Sequence, residues 1–377
     1  MRYLRTTNPH SVKGTALVRL DFNTQDEWRM EATASTLRHL KKTSEKVVIM
    51  SHRGRPTRRD ARYSLKKDAK YLSKLLKTKV KFIPHFRWND VRRTIARAPK
   101  RSIFLLENLR FMKGEEANDK NFARELASLG NFYVNDAFAV SHRDAASVDA
   151  ITRFLPSYVG LELEKEIRAL SRVAEEPKKP LVIIVGGAKA HDKLGVMKYF
   201  HEKADYFLLG GGPANTMMSL QGLHIGKSVA DKDPKDLKEL KRVANYGNVT
   251  VPVDWKMHEG RILDIGEWTI RDFVSKIRVA KTIFWNGPMG LIEKKPFDKG
   301  TMAIAQAITE NKDAFSIAGG GETVMFLKAH KLDKKFGFIS TGGSAMLDFL
   351  AGETLPGLAA LKRTSLAHPA KRMGGRH

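Results

Sequence analysis

The sequence predicts an α/β protein built on parallel sheets and divided into two domains. Three observations carry that expectation. Short β-branched and aromatic runs alternate with amphipathic stretches of roughly ten to fifteen residues along the whole chain, the pattern of βαβ units. A length of 377 residues exceeds what a single hydrophobic core usually serves. Between two groups of strand-like runs lies one charged, helix-like segment closed by a Pro-Lys-Lys-Pro stop.

Taken in order, the first group of strands should end at Asp21 (LVRLD), Met50 (KVVIM), Leu106 (SIFLL) and Asn135 (FYVN). The segment LELEKEIRALSRVAEEPKKP then places Leu161, Ile167, Leu170 and Val173 at helical spacing, and reads as the helix joining the domains. The second group should end at Val185 (LVIIV), Leu209 (YFLL), Trp285 (TIFW), Ala318 (FSIA) and Ser340 (GFIS). No tandem repeat interrupts this order.

Composition removes several classes of function. Without cysteine the chain can have no disulfide, iron–sulfur cluster, thiolate zinc site or thiol nucleophile. The 12 histidines include no pair at zinc spacing on one helix face, so a metal site made by protein alone is not expected. The first residues lack a signal-peptide apolar core, and runs such as PLVIIV are too short to span a bilayer, which points to a cytoplasmic protein without a membrane partner. The formal charge of +26 points to anionic partners of some kind, and it is regional: residues 41–101 hold 21 Lys and Arg against four acids. A biased but merely solvated surface explains such a run equally well.

In open parallel sheets ligands sit beyond the carboxyl ends of the strands, so the segments after each strand deserve the chemistry. In the second half they are glycine groups: GGAK (186–189), GGGP (210–213), NGPMG (286–290), GGGET (319–323) and TGGSA (341–345). Each precedes a helix-like stretch, so backbone N–H groups and helix N-termini should converge on one anion site, as a nucleotide requires. In the first half the same segments are polar and cationic: DFN (21–23), SHRGRP (51–56), ENLRF (107–111) and NDAFAVSHRD (135–144). They would bring Arg55, Arg110, Arg143, His52 and His142 to one mouth suited to a small acid carrying phosphate or carboxylate. Two look-alikes fail. GLHIGKS (222–228) spaces its glycines four apart where a P-loop needs five, and neither GGGPAN nor GGGETV makes a dinucleotide fingerprint.

In order along the chain, VRLDFN, SHRGRP, LLENLRF, NDAFAVSHR, GGAKAHDKLGVM, GGGPANT, DIG, FWNGPMGLIE, AGGGETV and STGGSAMLDFLAGETLPG resemble the motifs of the phosphoglycerate kinase family. The resemblance implies two Rossmann-like, doubly wound parallel-sheet domains facing a cleft and joined by an interdomain helix. It implies a phosphoglycerate-binding domain over residues 1–160, the helix over 161–176, a nucleotide-binding domain over 177–352, and a tail over 353–377 that returns to the N-terminal domain. The implied reaction is reversible transfer of the acyl phosphate of 1,3-bisphosphoglycerate to ADP, giving ATP and 3-phosphoglycerate, with Mg²⁺ accompanying the nucleotide and a monomer as the expected state.

Residue by residue, the resemblance gives Asp21, Asn23, Arg29, His52, Arg55, Arg110 and Arg143 to the substrate, with His142 alongside. It gives Gly187, Lys193, Gly211, Asn286, Leu291, Glu293, Gly320, Gly321, Glu322 and Thr323 to the nucleotide, Glu322 to the metal, and Arg29, Lys189 and Lys193 to catalysis. The physical logic agrees: a phosphoryl group in transfer needs positive charge and N–H donors around its oxygens, and neither a nucleophilic side chain nor a strong base. Several positions depart from the family pattern. Glu322 stands for the usual Asp, Ala145 for a histidine, Ser344 for a third glycine and Glu267 for a proline, while Arg53 adds a charge. The competing reading is a nucleic-acid-binding or inactive paralogue on the same scaffold, prompted by the basic region and those departures. The retained set Arg29, Lys189, Lys193 and Glu293 favours the enzyme.

Overall fold

The computed structural model describes residues 1–8, 12–23 and 27–367. The end of the basic tail, residues 368–377, lies outside the described residues. The chain forms two compact units, one made of residues up to 166 together with those from 354, the other of residues 167–353.

Strands β1 (Thr15–Arg19), β2 (Lys46–Met50), β3 (Val80–Ile83), β4 (Ile103–Leu106), β5 (Phe132–Asn135) and β6 (Ser157–Val159) build the first sheet in the order β3-β4-β2-β1-β5-β6. All pairings are parallel. The helices of this unit are α1 (Trp28–Ala32), α2 (Ala34–Thr43), α3 (Lys66–Leu75), α4 (Trp88–Arg97), α5 (Lys113–Glu116) and α6 (Lys120–Ala127). The inner strands read as unbroken apolar runs because both faces are covered; Leu17, Val48, Leu105 and Val134 are fully buried.

The first strand stops at Arg19, two residues before the expected Asp21. Leu20 N still donates to Met50 O at 3.0 Å, but Phe22 N turns to the Ser51 hydroxyl, also at 3.0 Å, and the chain leaves the sheet. Strands β3 and β6 were not expected. Both lie at sheet edges, where β3 alternates buried Val80 with exposed Lys81 inside the basic stretch and β6 spans three residues after Pro156. Edge strands need no continuous apolar run, so pattern reading passes over them.

Helix α7 (Leu161–Ala174) runs out of this unit. Asp136 holds its first turn, with Oδ1 accepting the N–H groups of Glu162 at 2.9 Å and Leu163 at 3.0 Å. The fit admits no side chain at residue 160, since a methyl on Gly160 would sit 2.1 Å from the same oxygen. Burial pushes the Asp136 carboxyl up to about 7. Helix α15 (Pro356–Ala367) packs against β6 and the Ala150–Arg153 turn, with Gly357 N donating to Ser141 O at 2.8 Å and Arg363 paired with Asp149.

The second sheet takes β7 (Leu181–Val185), β8 (Tyr206–Leu209), β9 (Val249–Thr250), β12 (Thr282–Asn286), β13 (Phe315–Gly319) and β14 (Phe338–Ile339) in the parallel order β14-β13-β12-β7-β8-β9. An antiparallel hairpin, β10 (Trp255–His258) with β11 (Arg261–Ile265), stands apart from it. Its turn has positive φ at both Glu259 (50°) and Gly260 (75°), the twist a two-residue hairpin demands. Compared with expectation, β12 and β13 run one residue further, to Asn286 and Gly319, β14 ends at Ile339, and both β9 and the hairpin are additions. The helices here are α8 (His191–Phe200), α9 (Gly211–Leu220), α10 (Pro234–Ala244), α11 (Glu267–Val279), α12 (Lys299–Glu310), α13 (Gly321–Ala329) and α14 (Ser344–Leu350). Glu267 is the first residue of α11, a position where proline is tolerated and an acid suits the helix dipole, which accounts for that exchange.

From β7 the chain proceeds outward to β8 on one side and returns to β12 on the other, so the loops after β7 and β12 diverge at a topological switch point. The glycines there let backbone meet backbone. A methyl on Gly186 would lie 2.1 Å from Pro288 O, on Gly287 2.2 Å from the Gly186 carbonyl, and on Gly212 2.0 Å from Ala188 O. Hydrogen bonds lock the contact: Gly186 N to Asn286 O at 2.9 Å, Gly187 N to Pro288 O at 2.8 Å, Gly211 N to Met289 O at 3.1 Å and Gly212 N to Gly187 O at 2.7 Å. This corrects the expectation that all five glycine groups aim their N–H groups at an anion, since these four donors already serve neighbouring loops.

Two outcomes follow from this packing. Asp136 titrates at 3.8 when unfolded and about 7 when folded, so its stability contribution is full below pH ~4 and is lost as pH rises to ~7. Asp136→Asn should flatten that decline by at most about 4 kcal/mol in urea unfolding of the first unit, whatever its constant offset; an unaltered pH dependence would contradict the burial argument. Gly212→Ala should cost roughly 1–3 kcal/mol in the second unit, because backbone on the opposite loop must yield; a thermal midpoint equal to the parent's would show that the loops have room.

Candidate active site

In the second unit a cavity of about 350 Å³ opens beside the switch point, a size suited to a small ligand. Gly187, Gly211, Leu291, Glu293 and Glu322, all expected from the sequence, line it. So do Met218, Pro252, Trp255, Leu263 and Met289, which supply an apolar wall that no motif announced. Asp264 of the DIG motif forms part of the lining; its carboxylate accepts Gly300 N at 2.8 Å, and burial lifts its pKa to about 7.

Two opposite charges, not paired with each other, approach the bare face of Gly187. A methyl there would lie 3.9 Å from Lys193 Nζ and 3.8 Å from Glu322 Oε2. Lys193, in the first turn of α8, is buried, and burial lowers its pKa while Asp192, Glu322 and Asp231 draw it back up. Lys189 lies in the preceding loop and is exposed. The α8 N-terminus is already filled by Asp231, whose Oδ2 accepts the N–H groups of Ala190 at 2.8 Å and His191 at 2.9 Å. Sequence reasoning had no means of finding that acid, which is remote in the chain.

Helix α13 offers the open N-terminus. It starts after Gly320 (φ 94°) with no side-chain cap, so the first-turn N–H groups at Gly321, Glu322 and Thr323 lack intrahelical partners by helix geometry. The Glu322 side chain is exposed and makes no hydrogen bond or salt bridge to a described residue. Asn286 and Thr323 hold the loops: Asn286 Nδ2 donates to Gly319 O at 2.9 Å, and Thr323 Oγ1 accepts Gly287 N at 2.9 Å. A side chain on Gly320 would meet Asn286 Nδ2 at 2.7 Å. Ser344 opens α14, a helix of seven residues, so the missing third glycine falls at a minor element.

The first unit gathers the cationic set. Arg29, on α1, donates from Nη1 to Asp21 Oδ2 at 2.8 Å, and its guanidinium lies 5.6 Å from the centre of the Trp28 ring. Asn23 Oδ1 accepts Gly54 N at 2.7 Å, tying the loop after β1 to the loop after β2. Arg110 is buried, donates to Gly54 O, and places Nε 3.1 Å from Glu116 Oε1. Arg143 Nε stands 3.3 Å from His142 Nε2. Arg110 and Arg143 line a cavity of about 270 Å³ together with Arg19, Glu115, Glu116 and the buried Ala145. Arg55 is exposed and makes no bond to a described residue, whereas Arg53 pairs with the buried Asp68 of α3.

His52 is almost wholly buried, and burial first, then Arg19, Arg110, Arg143 and Arg53, hold its pKa well below the ordinary value. It is therefore neutral. Arg19 Nη2 lies 3.1 Å from His52 Nδ1, and since a guanidinium can only donate, Nδ1 accepts and the proton sits on Nε2. Sequence reasoning passed over Arg19, although an arginine inside an apolar strand was a signal: a buried cation must be paired. Its Nε donates to Ser147 Oγ at 2.8 Å, and Glu115 lies 3.8 Å away.

Comparison with known proteins fits this geometry. The family model described as phosphoglycerate kinase matches residues 10–353. A phosphoglycerate kinase of Dictyoglomus turgidum is 39% identical over 375 residues, covering 92% of this chain and 95% of the relative. One from Thermus thermophilus is 37% identical over 392 residues, covering 96% and 100%. Among solved structures, phosphoglycerate kinase from Pyrococcus horikoshii superposes with a TM-score of 0.86 at 31% identity, covering 98% of this chain and 100% of that one. The Coxiella burnetii enzyme gives 0.82 at 30% identity, covering 96% and 98%. On this match in sequence and architecture, the chain belongs to the phosphoglycerate kinase family.

Proposed function

We propose that this chain moves the acyl phosphate of 1,3-bisphosphoglycerate to ADP, forming ATP and 3-phosphoglycerate, and catalyses the reverse transfer. The observation that carries the reading is the approach of both Lys193 and Glu322 to the bare face of Gly187, beside an apolar cavity and the open end of α13. In transfer toward ATP, an oxygen of the ADP β-phosphate forms a bond to phosphorus as the bond from phosphorus to the acyl oxygen breaks, and the leaving group is a carboxylate. No side chain has to supply a nucleophile or remove a proton.

The phosphoglycerate is assigned to Arg29, Arg55, Arg110 and Arg143, with Asp21 orienting Arg29 and His52 offering a neutral Nε2–H. The base and ribose are assigned to the apolar cavity, with Glu293 accepting from ribose hydroxyls and the first-turn N–H groups of α13 facing the phosphates. Lys193 is assigned to the oxygens of the group in transfer, where charge spreads most. Lys189, on the exposed loop, adds attraction for the same anion.

Mg²⁺ fits the residues present. Among the described residues no cluster of three acidic or histidine ligands exists, but Mg²⁺ bound with a nucleotide needs only one or two carboxylates, and Glu322 is unengaged. When bound, the ion would neutralise phosphate charge. A monomeric cytoplasmic enzyme is the assignment consistent with a family of this activity; among the described residues no helix is long and apolar enough to cross a membrane.

A coupled assay of ATP formation from 1,3-bisphosphoglycerate and ADP tests the activity itself, and no turnover would refute it. In that assay Lys193→Ala should lower kcat by about 10²–10³ with a much smaller change in KM, by analogy with other preorganised donors; an unchanged kcat would remove Lys193 from the transfer step. Glu322→Gln should shift the Mg²⁺ dependence of the rate to higher concentration, while Glu322→Asp should retain it. If neither substitution alters that dependence, Glu322 does not serve the metal.

A further inference from the structure

We propose that the first unit carries a second binding surface, an aromatic groove with a cationic rim that takes single-stranded nucleic acid. Two hollows of about 780 and 570 Å³ adjoin each other, with Phe111 and Met112 in the walls of both. Their floor is aromatic. Trp88 lies 5.6 Å from Phe86 and 5.8 Å from Phe122 between ring centres, with Phe122 buried beneath and Phe86, Trp88 and Phe111 half-exposed.

The rim is cationic. Arg59 and Arg87 expose 61% and 74% of their side chains beside one hollow, and Lys113 and Arg124 are exposed beside the other, with Arg124 5.3 Å from the centre of the Phe154 ring. The carboxylates at the rim are engaged: Asp119 accepts Phe122 N at 2.7 Å, and Glu125 pairs with Arg92 at 2.7 Å. Arg87 meets Asp90 at 3.0 Å, but an exposed pair of this kind is weak and opens readily to a stronger anion. None of Arg29, His52, Arg55, Arg110 or Arg143 lines either hollow, so the groove is separate from the assigned substrate residues.

Charge and shape together select the occupant. A polyanion suits the rim cations, two of which, Arg59 and Arg87, belong to the basic excess of residues 41–101 that no substrate residue explains. A concave aromatic floor adds a place for flat rings, and unpaired bases present such faces whereas a duplex hides them. Phe86 and Trp88 belong to the basic run itself, and folding brings Phe122 against both of them.

The experiment uses the full chain and a fluorescein-labelled oligo-uridine, followed by anisotropy and by Trp fluorescence at low and near-physiological salt. Binding should weaken with salt at a log–log slope near −3 if about four rim cations each displace a counterion. It should persist in saturating 3-phosphoglycerate and ATP. The combined Arg87→Ala, Lys113→Ala and Arg124→Ala variant should bind at least tenfold more weakly with kcat unchanged, and Trp88→Leu should lose about fivefold or more through stacking. Because Trp88→Leu could disturb the aromatic cluster, the rim variant decides the matter alone. Equal binding by that variant, equal affinity for a duplex or for acidic lipid vesicles, or displacement by either substrate would each overturn the proposal.

Discussion

The cavity of the second unit rests on one close approach, the passage of Gly186 against Gly287 where the chain reverses its direction of travel across the second sheet. With side chains there, the loops after β7 and β12 would stand apart by at least the width of a methyl group, and Gly211 and Gly212 could not dock on Gly187. That proximity sets the bare patch at Gly187 that Lys193 and Glu322 both approach, and it leads the chain on to Leu291 and Glu293 in the cavity wall. The glycines are there for backbone contact more than for anion contact, and the unspent N–H donors are those of α13.

The first unit solves a different problem, the crowding of like charge. Arg19, Arg53, Arg110 and Arg143 all bear on His52, so protonating that ring would add a further cation to a buried cationic site. The ring stays neutral and becomes a directional donor, and acids take up part of the arginine charge: Asp21 for Arg29, Asp68 for Arg53, Glu116 for Arg110 and Glu115 beside Arg19. The result is a mouth whose positive charge is carried by guanidiniums while the imidazole among them stays neutral.

Central strands and the loops after them were legible in the sequence, because burial on both faces enforces apolar runs and function concentrates Gly, Arg and His just beyond them. Edge strands β3, β6 and β9 were not, since one free side relaxes the pattern. The roles of individual site residues divide the same way. The resemblance gives Asn286 and Thr323 to the nucleotide, and the bonds they make here to Gly319 and Gly287 are tertiary and invisible in sequence. Asp231 capping α8 and the wall of Met218, Pro252 and Trp255 depend on segments far apart in the chain. Arg19 was accessible to reasoning, as a charged residue in an apolar strand, and was passed over because the motif around it drew attention to Asp21 and Asn23.

The return of α15 to the first unit has a consequence for synthesis. Residues 167–353 form a contiguous stretch, so the second unit has all its parts before the first does. The Ser141 carbonyl, two residues from Arg143, and the Asp149 carboxylate must wait for Gly357 and Arg363 to emerge from the ribosome. Until then β6 and the Ala150–Arg153 turn expose the surface that α15 covers. In vectorial order, then, the unit that begins first is completed after residues 167–353, and the loop carrying Arg143 gains the support of Gly357 only once that whole stretch has been made.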